Sequence, residues 1–308
     1  MRGFFKKTIF SMAIAIFSMF FGAGNAIFPL ILGMQSGHNF GIAFCGLLLT
    51  GIGGPLLGLI GGTLYRGQCT TFFARAGTIG GPLLMIITLG LLGPFAVLPR
   101  CVTVAHAAIA PLVYFSTPWS FALLFALTGL ILCYKRKYLL PVLGYVLSPL
   151  LIGCLLMIIG QSLFYPVAQQ GLSSLSAFKS GISTGYDTMD LIASIYFSAG
   201  IWTMIEIHSS DKSPKHVFLT TLKAGILGCF LLALIYLGLM HASAVYAPQL
   251  ANTPPEQLMS HLANISLGPT LGLVANLAIA LACLTTVISL VMTISQILSA
   301  QVFKSTPI

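Results

Sequence analysis

Residues 8–33 (TIFSMAIAIFSMFFGAGNAIFPLILG) form a charge-free apolar run with Gly22-Ala23-Gly24-Asn25 near its middle. The run is long enough to cross a bilayer as a helix. Such a helix must satisfy its own backbone hydrogen bonds, because hydrocarbon offers none. Each glycine weakens that ladder by about 1 kcal/mol relative to alanine. A rod facing lipid gains nothing from two glycines and an asparagine at bilayer depth. A helix that unwinds around a solute does gain, because unwinding frees N–H and C=O groups as ligands. The plainer alternative is close helix packing followed by a kink at Pro29.

Comparable runs recur along the chain, at residues 40–65, 81–114, 119–134, 139–164, 189–207, 217–242 and 267–301. Only 6% of the 308 residues are charged, against about 25% in soluble domains. The expected class is an all-α polytopic membrane protein of eight spans, with residues 1–308 as one transmembrane domain. Residues 1–7 and the apolar stretch after them have elements of a signal peptide. The apolar run continues to residue 33, too far for a cleavable signal. Seven cysteines show no metal-ligand or CxxC spacing, so buried inert thiols are expected.

A net charge of +9 raises nucleic acid as a partner, and the placement of the charges argues against it. Arg2, Lys6 and Lys7 precede the first run. Arg66 and Arg75 follow the second. Lys135, Arg136 and Lys137 follow the fourth, Lys212 and Lys215 the sixth, and Lys304 the eighth. Alternating spans put all of these on one side, and the opposite loops hold only Lys179. This positive-inside pattern predicts a multi-pass protein of the bacterial inner membrane with both termini cytoplasmic. Residues 66–80 have room for a short interfacial helix. Residues 166–185 and 245–266 read as polar outer loops from their Ser, Gln, Pro and Gly content.

The first and sixth spans are five helices apart and so run in opposite directions. Both contain small or polar residues, Gly22 to Asn25 in one and Ser194, Ser198, Ala199 and Gly200 in the other. Paired broken helices point to inverted repeats around a midplane site. Here the first repeat would cover about 8–164 and an incomplete second about 186–301. Serine and glycine are also common in packed membrane helices, which weakens the case for the sixth span.

Backbone N–H groups freed near Ala23 and Gly24, at the positive end of a half-helix, suit an anionic group. Asn25 adds a side-chain oxygen suited to a cation. In the last run Ala282, Thr285 and Thr286 share one helix face. Two adjacent hydroxyls suit a hard monovalent cation, although threonine in membrane helices also bonds back to its own carbonyls. Arg100 lies within the third run, where an arginine is costly and faces the interior. An ion pair between Arg100 and Asp190 is expected to hold the third and sixth spans in one conformation. The alternative is two separate polar groups in aqueous cavities. His106 and His241 have no ligand partners at useful spacing. No pair of facing acids, serine–histidine arrangement or P-loop is present, so neither an enzyme nor ATP-driven transport is expected.

The segment from Phe17 through Gly22-Ala23-Gly24-Asn25 to Pro29 resembles the opening signature of the bacterial branched-chain amino acid:cation symporters, the system II carriers. The stretches 93–100, Gly185-Tyr186-Asp187-Thr188-Met189-Asp190 and 281–286 resemble that family in the same order. The resemblance implies a LeuT-like inverted-repeat bundle with helices 1 and 6 discontinuous. It implies that Ala23 and Gly24 receive the substrate carboxylate, with Asn25, Ser194 and Ser198 completing the substrate site. It implies a Na⁺ site from the Ser18 and Phe21 carbonyls with Ala282, Thr285 and Thr286. The implied activity is symport of Leu, Ile and Val with Na⁺, or alternatively H⁺, with no other cofactor. The family usually carries about four more helices, so the chain reads as C-terminally shortened. A carrier of another solute or a non-transporting remnant or subunit are the alternatives. Oligomeric state is not legible in the sequence.

Overall fold

A computed structural model describes residues 2–112, 117–134, 150–167, 170–208 and 213–301. Part of the fifth expected span lies outside these residues, as do Lys135, Arg136, Lys137, Lys212 and Lys304. The described residues are helical and contain no strand. The first apolar run forms two helices, α1 (Arg2–Phe20) and α2 (Ala23–Ser36), separated by Phe21 and Gly22. A corner at Gly37, with φ +51°, leads through a 3-10 turn to α3 (Phe40–Leu47). A π-helical segment (Leu48–Gly53) joins α3 to α4 (Gly54–Leu64). The segment 66–80 contains a short helix, α5 (Cys69–Phe73).

Next come α6 (Gly80–Gly90) and α7 (Val97–Ile109), joined by a π-helical segment (Leu91–Phe95) that kinks at Gly93. They are followed by α8 (Pro118–Tyr134), α9 (Leu150–Ser162), α10 (Ser174–Asp187), α11 (Asp190–His208) and α12 (Pro214–Val245). The described chain closes with α13 (Ala247–Leu250) and α14 (Leu258–Gln301), the latter bent at Gly268.

By length and composition, four described helices can cross a membrane: Gly24–Leu64, Gly80–Ile109, Pro214–Val245 and Pro255–Leu298. The pair Ser174–Asp187 and Asp190–Glu206, bent by 43°, makes a fifth if it is one span. Shorter apolar helices cover Ile9–Phe20, Pro118–Cys133 and Leu150–Ser162. This is a multi-pass membrane protein. The expected eight spans are not reached on this count, because Phe21 and Gly22 cut the first run short, the fourth forms only the short helix Pro118–Cys133 and the fifth is described only in part. Large apolar side chains such as Leu57, Trp119 and Phe164 stand more than 70% exposed, as expected for a surface that meets lipid rather than water.

Two of the sequence expectations need correction. Residues 166–185 are not simply a loop, because α10 occupies most of that stretch. Glycines make this possible. A Cβ on Gly46 or Gly181 would overlap the backbone carbonyl of Phe178 or Ala43, so α3 and α10 touch backbone to backbone. Likewise 245–266 contains α13, a 3-10 turn and the start of α14. The sixth run, 189–207, forms the unbroken helix α11 rather than one interrupted at Ser194 to Gly200, and the chain instead bends just before it, at Thr188 and Met189. Met189 takes φ +62° there, a left-handed conformation uncommon for a non-glycine residue.

Long α12 runs through the middle of the bundle. It packs against α1, α2, α3 and α4 with Leu232, Tyr236, Leu239 and Met240 fully or almost fully buried. This fixes the two halves of the broken first run and brings their junction against α7, α11 and α14.

Candidate functional site

The helix break at Phe21-Gly22 is the natural starting point. Phe21 N–H still bonds the Phe17 carbonyl at 2.8 Å, and Gly22 N–H turns back to Phe20 at 2.8 Å. Gly22 is extended (φ −109°, ψ −173°), and no side chain caps α2. The first N–H groups of a helix have no partner within it. Those of Ala23 and Gly24 therefore open α2 with its positive pole toward the break.

Asn25 joins this break to the second one. Its side-chain amide donates to the carbonyl of Phe20, the last residue of α1, and to Asp190 Oδ2 at 2.9 Å. Asp190 is the first residue of α11. Tyr236 on α12 donates to the same carboxylate oxygen at 3.4 Å. Asn25, Asp190 and Tyr236 are all more than 90% buried. One asparagine thus ties the end of α1 to the start of α11, and the interruptions of the first and sixth runs lie side by side. The engaged part of Asn25 is its amide N–H₂, not the side-chain oxygen expected to suit a cation.

Arg100, near the start of α7, reaches the same place. A Cβ on Gly24 would overlap its Nη1 atom, so only glycine admits the guanidinium here. Arg100 donates to the Asp187 carbonyl at 3.4 Å, and its Cζ lies 4.7 Å from the centroid of the Phe28 ring. The direct Arg100–Asp190 ion pair expected from the sequence is not formed. Asn25 and Tyr236 both engage Oδ2 of Asp190, while the Arg100 guanidinium is held over Gly24 and Phe28 and turned to the Asp187 carbonyl.

From the other side comes α14. A Cβ on Gly22 would lie 3.5 Å from Thr286 Cγ2 and 3.8 Å from Thr286 Oγ1. Both hydroxyls of the threonine pair donate to the Ala282 carbonyl, Thr285 at 2.8 Å and Thr286 at 2.9 Å. A hydroxyl that donates its proton this way keeps its lone pairs for another donor or a cation. A narrow, almost wholly apolar cleft runs beside the break, lined by Phe21, Gly22, Ala26, Ile279, Ala282 and Cys283 among others.

The remaining sequence candidates lie elsewhere. Ser194 and Ser198 face α4, where a Cβ on Gly58 or Gly62 would overlap their hydroxyls. Each hydroxyl bonds a carbonyl of its own helix, Leu191 at 2.7 Å and Ile195 at 2.5 Å. The signal for this packing was present in the sequence. Gly58 and Gly62 are four apart, as are Ser194 and Ser198, the small-residue spacing of close helix pairs. The side chain of Ser18 is exposed, and its expected contribution is a carbonyl. Tyr236, Phe28 and Thr188 belong to the junction but carry no mark in the sequence that separates them from core residues.

A family model for branched-chain amino acid transport proteins matches residues 5–305. A protein of Staphylococcus aureus strain USA300, named branched-chain amino acid carrier protein, is 30% identical over 312 residues, covering 94% of this chain and 70% of the relative. A protein of the same name from Staphylococcus epidermidis strain RP62A is 29% identical over 317 residues, with the same coverage.

Proposed function

Because this chain belongs to the branched-chain amino acid transport protein family, and so to a group of transporters rather than enzymes, we propose that it is a cation-coupled carrier for Leu, Ile and Val in the bacterial inner membrane. The termini would be cytoplasmic, as the charge pattern predicts. The observation that carries the reading is the meeting of two helix breaks. Phe20 to Asn25 and Asp187 to Asp190 converge in the bundle and are joined by the Asn25 amide. Open backbone inside a membrane protein is tolerated where it lines a cavity or is covered by protein, and carriers bind their solutes at such places.

In this mechanism the substrate carboxylate meets the free N–H groups of Ala23 and Gly24, helped by the α2 pole. The narrow apolar cleft beside Phe21, Ala26 and Ala282 would widen as the helices part to receive the aliphatic side chain. Pocket discrimination of a single methylene is worth only about 1–3 kcal/mol, so Leu, Ile and Val compete. Na⁺ is the coupling ion of this proposal, with H⁺ as the alternative. The Ser18 and Phe21 carbonyls, the Ala282 carbonyl and the hydroxyls of Thr285 and Thr286 would hold it. The position of Thr286 beside Gly22, where an added Cβ would just touch it, favours this placement. A cation there draws α14 onto the broken run, and each ligand raises affinity for the other by the same factor. Ser194 and Ser198 are left out of the proposed site, because α4 covers them.

The test is uptake of labelled leucine by proteoliposomes carrying the purified chain, with an inward Na⁺ gradient, an inward H⁺ gradient or neither. The proposal expects accumulation only with a gradient, and competition by Ile and Val. Failure to take up leucine under any gradient would overturn it.

A further inference from the structure

We propose that Arg100 and Asp190 are the two charge ligands of the substrate, Arg100 for the carboxylate and Asp190 for the ammonium, so that the site selects a zwitterion. This rests on the carrier reading and goes beyond it, because the backbone N–H groups alone do not distinguish an amino acid from a simple carboxylic acid.

A charge in the membrane interior is costly, and opposite charges brought to one place usually pair. Here Arg100 and Asp190 reach neighbouring residues of one helix turn and do not pair. Arg100 lies against Gly24, and Asp190 bonds Asn25 at 2.9 Å. Asp190 is 7% exposed and its side-chain partners are neutral, Asn25 and Tyr236. Arg100 has a single backbone carbonyl at 3.4 Å and an aromatic face. Each charge retains capacity for a further ionic partner. Guanidinium forks match carboxylates two bonds at a time, and a carboxylate offers several lone-pair sites to an ammonium.

The helix poles point the same way. The positive ends of α2 and α11 and the carbonyl end of α1 all meet at this junction, so both signs of partial charge are present. An α-amino acid carries its ammonium and carboxylate on one carbon. Laid over Gly24 and Asn25, it presents opposite charges to the two side chains that approach those residues. Glycine at position 24 is what lets the guanidinium come close enough.

Binding to the purified full chain in detergent tests this with three probes: leucine, leucinamide, which lacks the carboxylate, and 4-methylpentanoate, which lacks the ammonium. The unsubstituted chain should prefer leucine over either analogue by at least about tenfold, the scale of one ionic hydrogen bond. Arg100→Gln should weaken leucine by about that factor and leave leucinamide unchanged. Asp190→Asn should weaken leucine and leave 4-methylpentanoate unchanged. Arg100→Lys should restore part of the preference for leucine over leucinamide. A variant that weakens leucine and its matching analogue equally would show that the residue only shapes the site, and would overturn the inference. So would leucine binding unchanged in either variant, or an unsubstituted chain that binds leucine without preferring it. Thermal melting of each variant identifies any that fail to fold. For Asp190 the second variant is Asp190→Glu, which should keep the preference over 4-methylpentanoate. Absence of leucine binding to the unsubstituted chain would instead bring down the carrier reading itself.

Discussion

Gly24→Ala is the smallest change that reaches the junction, and it should separate folding from transport. The new methyl would fall on Arg100 Nη1 and lie 3.5 Å from Cζ and 3.6 Å from Phe28 Cε2. The guanidinium ends a flexible side chain, so it swings away and the helices stay in place. The fold then loses a long hydrogen bond to the Asp187 carbonyl and a contact with the Phe28 ring, each worth about 0.5–1 kcal/mol. Alanine in a helix returns a similar amount, about 0.5–1 kcal/mol. Net stability therefore falls by at most about 1.5 kcal/mol, a shift of only a few degrees in Tm for a chain of this size. The substrate loses an ionic bond worth about 1.5–3 kcal/mol, which is about a 10- to 150-fold rise in KM. Thermal melting in detergent and leucine uptake against concentration read the two quantities on the same preparation. A Gly24→Ala protein that melts normally and transports leucine with an unchanged KM would refute the reasoning.

Asn25→Ala should destabilise the protein by about 2–4 kcal/mol, since the Phe20 carbonyl and the Asp190 carboxylate both lose a buried donor; a denaturant melt measures it, and a neutral result would contradict the junction as described. Replacing Thr285 and Thr286 together by alanine should reduce gradient-driven leucine uptake to the level seen without a gradient while leaving equilibrium exchange of leucine measurable. Retention of full gradient dependence would remove the pair from the coupling site. Ser194→Ala and Ser198→Ala should each leave the leucine KM unchanged, because their hydroxyls bond carbonyls of their own helix against α4. A tenfold loss in either would return them to the substrate site.

The first break was legible because glycine and asparagine in a charge-free run conflict with an unbroken membrane helix. The structure moves it only slightly, to Phe21 and Gly22. The second break was not legible. Its defining feature is Met189 in a left-handed conformation, and nothing about a methionine announces that. The helix before it, α10, was hidden by a serine- and glycine-rich composition that reads as loop. Those glycines are instead the surface by which α10 docks on α3, a property that exists only once a partner is in place. Arg100 and Asp190 stand out in the sequence as charges within or beside apolar runs. That they flank Gly24 and Asn25 without pairing depends on an amide 165 residues away in sequence from Asp190, and no local pattern encodes that distance. Ser194 and Ser198 face Gly58 and Gly62 of α4, and that packing is visible only when the small residues of both helices are considered together.

In the proposed function leucine lies at the gap between α1 and α2, covered by α14. A leucine analogue bearing a photoreactive diazirine in its side chain, activated on the purified protein and mapped by peptide mass spectrometry, tests this most directly. Label should collect on Phe21, Ala26, Met259, Ile279 and Ala282, which line the cleft, and excess leucine should prevent it. Leucine-protected label confined to other helices, with those residues untouched, would contradict the claim.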